Sequence, residues 1–132
     1  RFSPAVSEFD WLSRDRAEVE RYVRDPDCGE TMSAHFFREL ARGTIRVSTR
    51  SAFEGVDQRT KLLFLSGAED PVGGEGSGVR EVVERYRRAG VESTALRLFE
   101  GARHELLHET NREEVVREIA DALDSWASAC EN

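Results

Sequence analysis

Two residues that could form a general acid–base pair follow two apolar runs of this sequence. Asp70 comes shortly after the run 62–65 (Leu-Leu-Phe-Leu), and His104 comes shortly after the run 94–99 (Thr-Ala-Leu-Arg-Leu-Phe). Each run has the length and composition of a β-strand, and a strand that is covered on both faces is apolar throughout. Open α/β sheets gather their functional side chains at the carboxyl ends of the strands. We therefore expect Asp70 and His104 to lie in one crevice.

A carboxylate next to an imidazole is typical of a serine-hydrolase triad. A histidine that acts as a general base needs a partner on its second ring nitrogen, which fixes the tautomer and stabilises the protonated ring. Asp70 is predicted to be that acid and His104 that base. The nucleophilic serine of such enzymes stands in a Gly-x-Ser-x-Gly turn before the acid, and the sequence contains no such turn. Ser77 is flanked by glycines, but Glu75 replaces the first glycine of the turn, so Ser77 is predicted to open a helix.

The histidine loop also contains a zinc-protease pattern. Residues 104–108 read His-Glu-Leu-Leu-His, in which two histidines one helical turn apart could bind zinc while Glu105 activates a water molecule. This pattern has to lie inside a helix, whereas Gly101 precedes it and Thr110, a predicted helix cap, follows it. A zinc-dependent hydrolase stays an alternative, and the triad is favoured, with no metal ligand assigned.

The glycine-rich stretch 73–78 could suggest a phosphate cradle at a helix N-terminus. It lacks the Lys-Ser/Thr pair of a P-loop, and Glu75 would repel a phosphate group. A loop that joins a strand to a helix is the favoured interpretation, and no cofactor is expected.

Helical periodicity surrounds the two predicted strands. The helices are predicted over 15–24 with Asp15 as cap, from Ser33 to Gly43, from about Val79 to Gly90, and over 112–126 with Thr110 as cap, while 44–60 is ambiguous. The order strand, helix, strand, loop, helix predicts an α/β fold with a parallel sheet.

The predicted fold divides into a helical cap or lid segment, 1–50, and the C-terminal part of an α/β core, 51–132. Two parallel strands alone leave both sheet edges unpaired, and parallel sheets are usually larger and covered on both faces. We therefore expect the rest of the sheet to come from elsewhere. The start at Arg1, without an initiator methionine, favours the same interpretation of the chain as part of a longer protein.

Three segments resemble the monoglyceride lipase and lysophospholipase branch of the α/β-hydrolases. These are the acid segment LFLSGAEDPVG, the histidine loop GARHE and the lead-in FDWLSRDRAEVERYVRDPDCG, which occur in the order found in that family. The resemblance implies that Asp70 is the triad acid and His104 the base, that Glu105 and Glu109 support the loop, and that the aromatic residues between Phe9 and Phe37 cap an acyl pocket.

The resemblance also implies what this sequence does not contain. The family's serine and its oxyanion-hole donors precede the acid, so they are expected in a missing N-terminal half that acts as partner to this chain. The whole protein is expected to hydrolyse carboxylic esters of single-acyl lipids, such as monoacylglycerols or lysophospholipids, and this chain alone is expected to be inactive. A non-catalytic half-hydrolase that serves as a binding module stays open as an alternative.

Composition argues against several other classes of function. The chain has 19 Lys and Arg residues against 26 Asp and Glu residues, and its net charge of -7 would repel a nucleic acid backbone. No apolar run approaches the length of about 20 residues that a membrane-spanning helix needs. Cys28 and Cys130 have neither metal-site nor disulfide-rich spacing, so they are expected to be free thiols of a cytoplasmic protein.

Overall fold

The computed structural model describes residue 2 and residues 6–129 of the chain. The elements are α1 (Arg16–Arg24), α2 (Ala34–Val47), α3 (Arg50–Glu54), β1 (Leu62–Gly67), α4 (Ser77–Arg88), β2 (Thr94–Phe99), a 3₁₀ turn (Leu106–His108) and α5 (Arg112–Ser128). The predicted α/β class is confirmed. Cys28 is a free thiol, and Cys130 lies outside the described residues.

The two strands pair in parallel, and their register brings their carboxyl ends together. Leu62 is opposite Thr94 at one end of the pair, and Gly67 is opposite Phe99 at the other. The connection between them runs through α4, as a parallel pair requires. The side chains of 62–65 are only half-buried, so the described residues do not cover both faces of β1.

Glycine sets both ends of α4. Gly76 precedes the helix with a left-handed φ of 83°, and Gly90 follows it with a φ of 95°. The N–H of Val91 donates to the carbonyl of Tyr86 at 3.1 Å, and the N–H of Gly90 donates to Arg87 at 3.0 Å. This is the Schellman pattern of a glycine-terminated helix, and it confirms the end predicted at Gly90.

A small apolar core lies beneath the histidine loop. Phe99 at the end of β2, Ala102 in the loop and Val115 in α5 are buried and packed together. A second contact group is aromatic, with the ring of Tyr86 centred 4.8 Å from Phe53 and 5.6 Å from Phe64. The first group fixes α5 against the end of β2, and the second fixes α4 against β1.

The helix predicted from Ser33 ends later than expected. Ser33 caps it as predicted, because its hydroxyl accepts from the N–H of Phe36, but the helix passes through Gly43 and ends at Val47. Gly43 keeps a helical backbone here. A glycine inside a helix costs only about 1 kcal/mol, which the helix-forming residues on both sides can offset.

The cap predicted for α5 is also wrong by one residue. Asn111, not Thr110, is the N-cap, and its side-chain amide donates to Glu114 at 3.1 Å. Thr110 is the last residue of the preceding loop, and its N–H donates to the buried carboxylate of Glu109 at 3.1 Å.

All of α2 is exposed. Its apolar side chains at Phe36, Phe37 and Leu40 are 45 %, 54 % and 53 % exposed, so they contribute little to the packing of the described residues. Within residues 6–129, none of the helices combines the length and the apolar character that a membrane span requires.

Candidate active site

The backbone keeps the two strand ends together beyond the last sheet pair. The N–H of Ala68 donates to the carbonyl of Phe99 at 2.9 Å, and the N–H of Glu69 donates to Ala102 at 2.9 Å. These two bonds extend the contact from β1 and β2 into the loops that follow them. As a result, the segment that leads to Asp70 lies directly against the segment that leads to His104.

Asp70 and His104 form a hydrogen-bonded pair. The distance from Asp70 Oδ2 to His104 Nδ1 is 3.0 Å. Asp70 is 7 % exposed as a whole residue, whereas the side chain of His104 is 38 % exposed. The other carboxylate oxygen, Oδ1, accepts from the N–H of Val72 at 2.9 Å. The carboxylate is therefore fixed at both oxygens, and the imidazole is accessible at the surface.

The geometry leaves one ring nitrogen of His104 available for chemistry. Nδ1 faces the carboxylate, and within residues 6–129 no hydrogen bond is made to Nε2. A proton on Nδ1 that is held by Asp70 leaves the lone pair on Nε2, which is the tautomer a general base requires.

The glycine-rich loop after Asp70 is tightly closed on itself. Gly74, Glu75 and Gly76 have φ values of 60°, 57° and 83°, so three consecutive residues are left-handed. The N–H of Glu75 donates to the carbonyl of Asp70 at 2.8 Å, and that of Gly78 donates to Gly73 at 3.1 Å. Because these N–H groups are already bonded within the loop, they do not form the phosphate cradle considered as an alternative.

The sequence did not predict the contact between Trp11 and the imidazole of His104. The ring of Trp11 is centred 5.1 Å from the imidazole, at an interplanar angle of 50°. The carbonyls of Trp11 and Leu12 accept from the N–H groups of His104 at 3.3 Å and Glu105 at 2.8 Å. The resemblance implied that the aromatic residues between Phe9 and Phe37 cap an acyl pocket, but no sequence pattern indicated that Trp11 contacts His104 itself.

The turn that carries Trp11 is held by a carboxylate. Asp10 accepts hydrogen bonds from the backbone N–H of Val6 at 2.7 Å and from the N–H and hydroxyl of Ser7, both at 3.0 Å. These bonds, the one from Val6 first, lower the pKa of Asp10 below its ordinary value of 3.8. On the other side, Arg103 donates to the carbonyls of Asp10 and Ser13, which ties the turn to the histidine loop.

The surface beside the pair is concave. An open cleft of about 570 Å³ is lined by apolar and by polar or acidic residues, namely Phe2, Val6, Trp11, Pro71, Ser7, Glu8 and Asp10. Pro71 directly follows Asp70, and Trp11 packs on His104, so the cleft borders the acid–base pair.

The His-Glu-Leu-Leu-His segment does not have the geometry of a zinc-protease helix. Leu106–His108 is a single 3₁₀ turn, and His108 bonds through Nδ1 to Glu105 Oε2 at 2.7 Å, while His104 bonds to Asp70. In the described part of the chain, no three or more His, Cys, Asp or Glu side chains come close enough together to hold a metal ion. The geometry therefore favours the acid–base interpretation of His104.

Comparison with known proteins gives the family. Residues 2–111 match the sequence profile of the family described as serine aminopeptidase, S33. The chain belongs to this family of α/β-hydrolases. No curated protein shows a significant match to it.

Two solved structures are similar to this S33 hydrolase chain. A highly thermostable carboxyl esterase from Bacillus coagulans, in complex with glycerol, has a TM-score of 0.80 and 21% identity, covering 98% of this chain and 41% of that chain. A structure described as a lipase in its open form has a TM-score of 0.79 and 30% identity, covering 91% of this chain and 39% of that chain. The S33 hydrolase chain thus spans less than half the length of either neighbour.

The serines near the pair of this S33 hydrolase chain have other partners. Ser13 donates its hydroxyl to the carbonyl of His108, Ser66 donates to Gly67, and Ser77 donates to Gly74. None of the serine hydroxyls within residues 6–129 is hydrogen-bonded to His104.

Proposed function

We propose that the protein containing this chain is a serine hydrolase of carboxylic esters, in which Asp70 is the triad acid and His104 the general base. One observation carries the proposal: a buried carboxylate lies 3.0 Å from the Nδ1 of an accessible imidazole at the carboxyl ends of two parallel strands. This is the position at which α/β-hydrolases hold their acid and histidine. The nucleophilic serine and the oxyanion-hole donors are proposed to come from a segment outside this sequence.

Each residue has a defined role in the proposed reaction. His104 Nε2 takes the proton of the serine hydroxyl as the serine oxygen attacks the ester carbonyl carbon, and then gives that proton to the departing alcohol. Asp70 stays ionised, keeps the proton on Nδ1 and stabilises the imidazolium that forms. In the second half of the cycle, His104 takes a proton from the water molecule that attacks the acyl carbon, and then gives it to the departing serine oxygen, which releases the carboxylic acid and restores the serine hydroxyl.

Single-acyl lipids, either monoacylglycerols or lysophospholipids, are the proposed substrate class. The sequence resembles the branch that acts on them, and the two similar structures are described as a carboxyl esterase and a lipase. Aromatic surface next to the pair supports an acyl substrate, since the ring of Trp11 packs on the imidazole of His104. A free thiol at Cys28 is compatible with the proposed cytoplasmic location.

The test uses the complete protein, expressed from the coding sequence that contains this chain. Hydrolysis is measured on a monoacylglycerol, a lysophospholipid, a triacylglycerol and an amino-acid amide. We expect turnover of the first two, and we expect His104→Ala and Asp70→Asn each to lower kcat by about 10⁴-fold. His108→Ala is the matched control, because His108 is an exposed histidine of the same loop and is expected to be dispensable.

Three results would overturn parts of this proposal. Unchanged ester hydrolysis in His104→Ala or Asp70→Asn would refute the triad assignment. Cleavage of the amide alone would replace the ester class with the aminopeptidase activity in the family's description. Activity that disappears with a chelator and with His108→Ala would favour the zinc alternative, and an inactive complete protein that still binds acyl lipids would favour the binding module.

A further inference from the structure

A second buried carboxylate lies close to His104 and takes no part in the proposed reaction. Within residues 6–129 the buried carboxylates are those of Asp70 and Glu109, and Glu109 is 0 % exposed. An ionised carboxylate is costly to bury unless hydrogen bonds and an opposite charge compensate it. The hydrogen-bond partners of Glu109 therefore show which segments this buried carboxylate holds together.

Glu109 accepts four hydrogen bonds, and its two oxygens share them equally. Oε1 accepts from the N–H of Arg103 at 2.8 Å and from the N–H of Arg14 at 3.1 Å. Oε2 accepts from Arg14 Nε at 2.9 Å and from the N–H of Thr110 at 3.1 Å. The guanidinium of Arg14 supplies the opposite charge at the same oxygen.

These four donors belong to two separate segments. Arg103 and Thr110 lie at the two ends of the histidine loop, so the carboxylate closes that loop across its base. Arg14 belongs to the same segment as Trp11 and Leu12. The carbonyls of these two residues accept hydrogen bonds from the N–H groups of His104 and Glu105. Ser13 adds a bond from its hydroxyl to the carbonyl of His108 at 2.7 Å.

We propose that Glu109 is a positioning residue, which holds the loop of His104 against the Trp11 segment and thereby keeps the imidazole between Trp11 and Asp70. The expected effect of Glu109 on catalysis rests on the proposed function. Its role in holding the histidine loop rests on the hydrogen-bond geometry alone. None of the four hydrogen bonds to the Glu109 carboxylate comes from the imidazole, and Glu109 acts through the N–H of Arg103, the residue directly before His104.

A carboxylate is specifically suited to this position. All four partners are donors, and a carboxylate can accept at every one of its lone-pair sites. In Glu109→Gln one oxygen becomes an NH₂ group, which points donors at donors and leaves buried N–H groups unpaired. The substitution keeps the size of the side chain, so it tests the hydrogen bonds and the charge without opening a cavity.

The decisive measurement is an NMR signal that belongs to the acid–base pair itself. In the complete protein, the proton on His104 Nδ1 is held by Asp70 and is expected to give a downfield resonance protected from exchange with water. We expect Glu109→Gln to remove this resonance. The control Glu105→Gln alters the other glutamate of the loop, which pairs with exposed His108, and we expect it to leave the resonance in place.

A second variant covers the case in which Glu109→Gln does not fold. Arg14→Ala removes the Nε donor and the positive charge but keeps the backbone N–H, and the Arg14 side chain is 30% exposed, so the fold can tolerate its loss. We expect faster exchange of the His104 Nδ1 proton in this variant, with a cooperative melt. A resonance unchanged in intensity and exchange rate in a folded Glu109→Gln or in Arg14→Ala would overturn the proposal.

Kinetics of the complete protein supply the catalytic readout. Displacing a catalytic group by about 1 Å can cost about a hundredfold in rate, so Glu109→Gln is expected to lower kcat by about that factor while KM changes little. If the complete protein hydrolyses no ester, the proposed function fails, yet the NMR comparison still decides the role of Glu109. If esters are hydrolysed and kcat is unchanged in Glu109→Gln, the positioning role fails while the proposed function stands.

Discussion

A side chain on Gly67 would place its Cβ 2.1 Å from the carbonyl oxygen of Arg103 and 2.3 Å from that of Ala102. No Cβ atom fits at those distances, and both neighbours are backbone atoms that cannot rotate away. The end of β1 therefore approaches the histidine loop more closely than any residue other than glycine permits. This approach brings the segment of Asp70 within reach of His104.

Gly67→Ala is expected to push the two loops apart. The overlap resembles an overpacked core site, so we expect a loss of about 3 kcal/mol in the free energy of unfolding, measured by urea denaturation. The bonds from Ala68 and Glu69 to the histidine loop are expected to weaken with it.

Gly43→Ala is the matched control for this substitution. A Cβ at Gly43 meets nothing within 4 Å, and Gly43 lies inside α2. Alanine is a better helix former there, so we expect a gain of about 0.5–1 kcal/mol. A Gly67→Ala variant as stable as the wild type would contradict the close approach.

The contact between Trp11 and His104 is expected to be energetically measurable. Ring pairs of this kind contribute about 1 kcal/mol beyond the area they bury. In a double-mutant cycle of Trp11→Leu and His104→Ala, we expect a coupling energy of about 1 kcal/mol between the two sites. Additivity within about 0.3 kcal/mol would show that the two rings do not interact.

His108→Ala is expected to have almost no effect on the folded protein. The His108 side chain is 53% exposed and contacts Glu105, whose side chain is also partly exposed. Surface substitutions of this kind usually change stability by less than about 0.5 kcal/mol. Urea denaturation and metal analysis check this together, and bound zinc that is lost on substitution would count against it.

Acid is expected to loosen the turn that carries Trp11. Because hydrogen bonds from Val6 and Ser7 lower the pKa of Asp10 below 3.8, its contribution to stability is present above that pH and is lost as the pH falls through the lower, folded-state value. The change in unfolding midpoint below pH 3.8 should be smaller in Asp10→Asn. Identical pH profiles for the variant and the wild type would refute this role of Asp10.

The meeting of Asp70 and His104 could be predicted because it depends on a simple regularity. Parallel neighbouring strands end at the same edge, so residues that follow them are brought together whatever the details of packing. Their catalytic roles stay proposals. Local signals also located the start of α2 at Ser33 and the end of α4 at Gly90.

Other features depend on contacts that no local pattern carries. The buried state of Glu109 requires Arg14, and the ring contact with His104 requires Trp11, both of which come from a distant segment. Contacts between distant segments thus determine the burial of Glu109 and the position of Trp11, which helical periodicity and residue propensity do not predict.

The separation of these segments along the chain has a consequence for the order of folding. Asp70 and His104 are 34 residues apart, whereas the bond from Ser13 to His108 spans 95 residues. Closing the longer loop costs about 0.9 kcal/mol more in chain entropy. We therefore expect the strand pair to form early and the segment with Trp11 to dock last, so that the histidine loop acquires its rigid surroundings only in the final step of assembly.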